Sequence, residues 1–487
     1  MQEVSKEQKE ASIFDLSYRK TVKRLVSWLK HGNHCDNKLI CEFSHAYQNC
    51  LRSGGAVNQK QILNYANRVI GEPSCDDENA TTIENFDFML TALQMQMDFA
   101  HILKDSRFFN RLFEIEWKRV WDWGHDVTVN NYRDKVIDWL DDLLKEETFV
   151  KIRSAVEEHC KINSHKIIGE IILYIVDMRS IVERAESGTI ETYGLYNKLT
   201  ALLEHPLLLK FRDPFNTFHI SKFFHEMASA STDRKAAQQL LYYYFLSHSN
   251  QLKQEKHENM PITEHCADQL LAKHGVFSSY VGTATLMQAL GYTRKDLLEA
   301  QYMKAELSIS MRSHINSRTW LEGFQTHVLL DKLKRNRLIA AIPLKFLDGR
   351  DKNETMFSNI SKILAFKENS TTIQHDWSWF KTKAFLNRMN WEQQFISNAD
   401  KPKFLDEDML EFHYKSIQKD ILKDSMTFFY RSSGDTHLDI FIPITFLESV
   451  SFHANSPMVV KYAGLGGALA EHMVYVDAFT NPTIFDM

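Results

Sequence analysis

Glycine and proline are scarce in this 487-residue chain: 17 Gly and 9 Pro. So few breakers, set among long mixed apolar and charged runs, exclude a turn-rich β-sandwich and point to a mostly helical protein. The N-terminal MQEVSKEQKEASIFDL has no apolar core of the signal-peptide kind, so no leader is expected there. No apolar run approaches the ~20 residues that span a bilayer. Stretches such as IIGEIILYIVDM are interrupted by charge, so no transmembrane segment is expected. The formal net charge of -5 gives no reason to invoke nucleic acid or an anionic membrane. There is no phosphate-cradling Gly loop, no dinucleotide fingerprint, and no defensible Ser-His-Asp or Cys-His catalytic arrangement among the 21 His. The six Cys permit disulfides without requiring them.

What is present is helix after helix. YRKTVKRLVSWLK places Val22, Leu25, Val26 and Leu29 on one face, which predicts a helix packed on the chain's own core rather than on a membrane. Helical periodicity is clearest over 86–103, 136–144, 167–185, 193–203, 235–247 and 297–313. The aromatic segments LLYYYFLSHS and HDWSWF are expected to be core. The character changes near Thr427. TFFY, the turn RSSGD and HLDIFIPITFLESVSF read as strand, turn, strand. The Gly-rich YAGLGGALAEHMVY then reads as the start of a terminal helix. The expected organisation is an amphipathic segment over 1–34, a helical domain over 35–425 and a hairpin-plus-helix remnant over 426–487.

The residues of this C-terminal stretch resemble the neprilysin/endothelin-converting-enzyme family of zinc metallopeptidases. Thr427-Phe428-Phe429-Tyr430 stands where that family has its substrate-binding edge strand. Ser432-Ser433-Gly434 stands at its turn, Ile440-Phe441-Ile442-Pro443 at its second strand, and Tyr462-Ala463-Gly464-Leu465-Gly466 at its entry to the zinc helix. Three earlier segments agree in order. Cys41-Glu42-Phe43 with Cys50 and Gly54-Gly55 is similar to the family's cysteine-rich entry. Glu264-His265-Cys266 with Tyr280-Val281, and the Trp320, Lys332, Pro343 spacing, are similar to two later segments. The resemblance implies a mainly α fold: a large multi-helix lobe, with a β-hairpin and one helix left from a thermolysin-like lobe. It also implies a Cys75–Cys266 disulfide if the protein is exported, and an extracellular or membrane-associated setting that nothing else in the chain supports. Cys41 and Cys50 match family cysteines whose partners have no counterpart here, so they are expected to pair locally, with Cys35 as a candidate, or to stay free.

The same resemblance shows what is missing. A zinc peptidase needs two His one helical turn apart, a Glu after the first as general base, a third ligand and an open position for water. Glu471 stands at the first His, His472 at the Glu and Tyr475 at the second His. Consecutive helical residues diverge by ~100°, so Glu471 and Tyr475 share a face that His472 does not. A phenol with an ordinary pKa near ~10 is a poor zinc ligand at neutral pH. The inverted motif would need His at 468, where Ala468 stands. The family's third ligand and its oxyanion-stabilising His would come from beyond Met487. No zinc, no other cofactor and no intact catalytic residue are therefore expected. In the substrate strand, Thr427 and Phe428 replace the family's Asn and Ala, which removes the amide contacts but leaves the backbone.

A second zinc reading, over His31, His34, Cys35, Cys41 and Cys50, fits no standard finger spacing and is not favoured. The function expected is that of a catalytically inactive neprilysin-like protein that binds peptides or modulates an active relative. The alternatives are an incomplete or divergent zinc metalloendopeptidase and a structural helical scaffold.

Overall fold

The computed structural model describes residues 13–75 (without 33 and 36), 86–99 (without 87), 137–184 (without 138 and 139) and 234–249. It further describes 260–364 (without 336 and 348–351), 373–395, scattered positions in 412–422, then 427–431, 437–449, 452 and 456–479. The fold is mainly α, as the scarcity of breakers requires. The helix expected over 193–203 and the hairpin turn at 432–436 lie outside the described residues. Of the helix expected over 136–144, residues 137 and 140–144 are described and helical.

The chain forms two compact units that interleave along the sequence. One comprises 1–51, 259–376 and 401–487; the other comprises 52–258 and 377–400. The N-terminal helix belongs to the same unit as the C-terminal hairpin.

In the first unit, α1 (Ile13–Lys30) packs on α8 (Ile262–Ala272), α9 (Thr283–Leu290) and the short α14 (Ile444–Ser449). Val22, Leu25, Val26 and Leu29 are buried, so the amphipathic stripe faces core. α2 (Lys38–Arg52) carries a pronounced inner face that includes Leu39, Phe43, Ala46 and Cys50. Glu42, His45 and Asn49 on this helix hold one piece of backbone. Glu42 Oε2 accepts from Ile373 N–H at 2.6 Å, His45 Nδ1 donates to Ile373 C=O at 2.9 Å, and Asn49 Nδ2 donates to Gln374 C=O at 2.9 Å. The i, i+3, i+7 spacing brings all three to one side of the helix.

A π-helical turn (Phe277–Gly282) leads into α9 and is buried throughout. Helices α10 (Arg294–Asn316) and α11 (Gly323–Arg335) follow, then the three-residue β1 (Leu338–Ala340) and α12 (Lys352–Ile363). β1 pairs in parallel with β3 (His437–Ile442), which pairs antiparallel with β2 (Thr427–Arg431), so the sheet order is β1-β3-β2. The hairpin read from the sequence is there, with a third strand that the sequence reading did not include. Ile440, Phe441 and Ile442 are buried, as the central strand of a covered sheet must be.

In the second unit, α7 (Arg234–His248) packs against α3 (Gln59–Val69), α4 (Phe88–Phe99), α5 (Glu146–His159) and α6 (Ser164–Arg184). Its run Leu240–Phe245 is buried on every side, so the aromatic cluster is core, as expected. α13 (Trp379–Phe395) packs on α4. Trp377, Trp379 and Phe380 are likewise buried.

The disulfides correct one expectation. Cys75 does not pair with Cys266. Cys266 on α8 faces Cys50 on α2, with Cα atoms 5.7 Å apart, and Cys75 faces Cys160 at 5.4 Å. Both separations lie in the bridging range, and each bond stays inside one unit. Cys41 pairs with Cys35, the local partner considered from the sequence.

Candidate functional site

The substrate-strand positions Thr427, Phe428, Phe429 and Tyr430 lie on β2, whose described neighbour is β3 alone. Their partners are Phe441, Ile440, Asp439 and Leu438 in turn. Among the described residues β2 is therefore an edge strand, with one row of backbone donors and acceptors unpaired in the sheet. The β2 side chains lie outside the described residues. Behind the edge, Asp439 is buried and its Oδ1 accepts from Arg337 N–H at 3.1 Å. Phe412 packs on Phe441, their ring centroids 5.7 Å apart.

The terminal helix is approached through α15 (Met458–Lys461) and a second π-helical turn, Tyr462–Gly466, which runs directly into α16 (Gly467–Phe479). The small-residue run has a packing reason here. A Cβ on Gly466 would lie 3.2 Å from the Tyr462 ring and 3.5 Å from Met303 Sδ of α10. Lys461, buried, donates to Glu299 of α10 at 2.7 Å and lies over the Phe452 ring. The helix is thus pinned to α10 by an ion pair as well as by close packing. Met473 and Leu469 form its buried side.

On α16, Glu471 is exposed and His472 is half-buried. His472 Nδ1 faces the Ala468 carbonyl at 2.9 Å, so that nitrogen donates to the helix's own backbone. Tyr475 is one helical turn beyond Glu471; its side chain lies outside the described residues. The arrangement has one carboxylate and one imidazole on different faces, whereas hydrolytic zinc needs three converging ligands and a base.

Among the described residues, two other places bring metal-type ligand atoms together; sequence reasoning weighed Cys35 and Cys41 of the first without His45, and missed the second. Cys35, Cys41 and His45 form one, with His45 Nε2 3.8 Å and 3.5 Å from the two sulfurs. Cys75, His159 and Cys160 form the other. The five-residue cluster weighed from the sequence does not assemble: Cys50 is bonded to Cys266, and His34 stacks on Trp28 with ring centroids 3.6 Å apart. The adjacent letters His159-Cys160 were the only available signal, and a dipeptide is too common to carry weight.

Of the segments that carried the family resemblance, Cys266, Tyr280 and Val281 are fully buried. Burial drives the Tyr280 phenol well above its ordinary pKa. Trp320 is 70% exposed, Pro343 is buried, and the Lys332 side chain lies outside the described residues. Glu42, from the cysteine-rich entry, is buried, and desolvation raises its carboxyl from 4.5 to about 7, against the Ile373 N–H and Lys38, which lower it. Compared with known proteins, the chain matches no family model and no curated sequence.

Proposed function

We propose that this protein binds extended peptides along the edge of β2 that no described strand pairs, and does not cleave them, acting as a peptide-binding or peptide-sequestering relative of neprilysin-type peptidases. The observation that supports this most is the position of Thr427–Tyr430 on an edge strand next to a buried sheet core. An extended peptide can add to such an edge through main-chain hydrogen bonds alone, so loss of the family's Asn and Ala leaves that mode intact. The letters at the zinc-helix positions support the absence of cleavage, since Glu471, His472 and Tyr475 do not supply two histidines on one face. Modulation of an active relative would use the same edge.

Fluorescence polarisation with short extended peptides, each paired with a copy N-methylated at alternate residues, tests the reading. Each backbone hydrogen bond contributes ~1 kcal/mol net, so losing two should weaken binding by roughly 10- to 100-fold. Equal affinity for both copies, or binding of no peptide in the panel, would overturn the reading. So would cleavage of any bound peptide in the presence of added zinc.

A further inference from the structure

The Cys75–Cys160 bridge is set in a frame of side chains that a plain structural disulfide does not need. His159, the last residue of α5, directs Nδ1 at both sulfurs, 3.7 Å from Cys75 Sγ and 3.4 Å from Cys160 Sγ. Its other nitrogen, Nε2, faces Glu72 Oε1 at 3.3 Å. A neutral imidazole has one N–H, and a carboxylate can only accept, so Nε2 donates to Glu72 and Nδ1 keeps its lone pair. The Tyr243 hydroxyl, 3.0 Å from Nδ1, donates to that lone pair and also lies 3.1 Å from Cys160 Sγ.

Glu72 is itself held. Asn67 Nδ2 of α3 donates to Glu72 Oε2 at 2.9 Å, and the Tyr242 hydroxyl of α7 donates to Asn67 Oδ1 at 2.8 Å. Asn163 Nδ2 fixes the backbone of Cys75 through its carbonyl at 2.8 Å. A carboxylate on the far nitrogen of a histidine is the arrangement that orients metal-ligating imidazoles and fixes their tautomer.

From this geometry we infer that the Cys75–Cys160 disulfide is the closed form of a redox-gated metal site, in which the reduced chain holds a thiophilic divalent cation of the zinc class on Cys75 Sγ, Cys160 Sγ and His159 Nδ1. With metal–sulfur bonds of ~2.3 Å and metal–nitrogen bonds of ~2.05 Å, a tetrahedral site has a sulfur–nitrogen edge of ~3.6 Å. The two observed distances bracket that edge, so the imidazole need not move. Only the sulfurs must part, to ~3.8 Å. Cys75 is half-exposed and lies in a segment without regular secondary structure after α3, so it is the sulfur that reductant reaches and that moves.

The steps balance. A dithiol reductant passes two electrons and two protons to the disulfide, becoming a disulfide itself and leaving two thiols. The cation then displaces both thiol protons to solvent, giving a neutral two-thiolate, one-imidazole site with its fourth position open to water. The Tyr243 hydroxyl, no longer able to donate to Nδ1, donates to the Cys160 thiolate. The site has three protein ligands, and among the described residues no fourth metal-type ligand atom joins them.

The test uses the full chain, reduced anaerobically with a dithiol, freed of reductant and titrated with cobalt(II) and then zinc(II). Wild type should bind one equivalent more than a Cys75→Ser/Cys160→Ser double variant treated identically, with the thiolate-to-cobalt charge-transfer band that two sulfurs produce. The oxidised wild type should lack this equivalent. Glu72→Gln leaves all three ligands in place and should weaken that equivalent by roughly 10- to 100-fold. Equal stoichiometry in the reduced wild type and the double variant would overturn the inference, as would a Glu72→Gln affinity equal to wild type. Because the comparison is a difference, metal bound at Cys35, Cys41 and His45 cancels. Peptide binding at β2 is read separately.

Discussion

Glu42→Gln should change how the stability of the first unit depends on pH. The Glu42 carboxyl is buried on α2 and accepts the Ile373 N–H at 2.6 Å. Desolvation outweighs that bond and the attraction of Lys38, so the folded-state pKa rises from 4.5 to about 7. The sign follows from proton binding. Between these values the folded chain holds the proton more tightly than the unfolded one, so stability is fully present below about 4.5 and is lost as pH rises through about 7. A rise of about 2.5 units, at ~1.4 kcal/mol per unit, makes the loss ~3 kcal/mol by pH 8. Glutamine keeps an acceptor for Ile373 and carries no charge at any pH. Urea unfolding of wild type and Glu42→Gln at pH 4.5 and pH 8 isolates the effect, because other titrating groups cancel in the difference. Relative to wild type, Glu42→Gln should gain ~3 kcal/mol between the two conditions. An unchanged difference, or a change of opposite sign, would refute the burial argument.

Asp98→Ala should destabilise the second unit by ~3 kcal/mol in denaturant unfolding, because it strands Arg388 and the buried Tyr65 hydroxyl, 3.0 Å and 2.6 Å from the lost carboxylate. Tyr65→Phe alone should cost ~1 kcal/mol, and less when Asp98 is already absent. Ala341 has φ 59 and sits in a tight turn in which Ile342 N–H bonds Ala340 C=O at 2.7 Å. Ala341→Gly should therefore leave thermal stability within ~0.5 kcal/mol of wild type, whereas Ala300→Gly, in the buried face of α10, should cost ~1 kcal/mol or more. Replacing Cys50 and Cys266 by Ala opens a loop of 216 residues. In the chain-entropy model that costs at most ~5 kcal/mol, and the loss should appear as a lower unfolding midpoint under oxidising conditions.

The parts of the fold legible in the sequence are those fixed by local pattern. The α1 stripe and the aromatic run of α7 each bury residues at helical spacing, and both are core. The hairpin was marked by β-branched and aromatic runs around a turn. β1 was not legible, because Leu338-Ile339-Ala340 is three buried residues with no alternation to display, and its pairing with β3 is 102 residues away in sequence. Cysteine pairing was legible only for Cys35–Cys41, where the partner is local. The partners of Cys50 and Cys75 are set by which helices pack together, which spacing does not encode. The interleaving of the two units was hidden for the same reason. At the candidate site, the letters Glu471-His472 could be read from the sequence, but neither the π-turn before them nor the pairing of buried Lys461 with Glu299 leaves a sequence signature. The Glu72–His159–Cys75–Cys160 frame draws on separate turns of the chain and was invisible until they came together.

The most direct test of the proposal that this protein binds peptides without a peptidase centre is zinc per purified chain. It would be measured by elemental analysis on oxidised protein dialysed against trace zinc without chelator. The account predicts a value near zero, because the sulfurs are bridged and the letters of α16 supply no pair of histidines on one face. A value near one on the oxidised chain, abolished by Glu471→Ala or His472→Ala, would contradict it and restore a metal centre to the terminal helix.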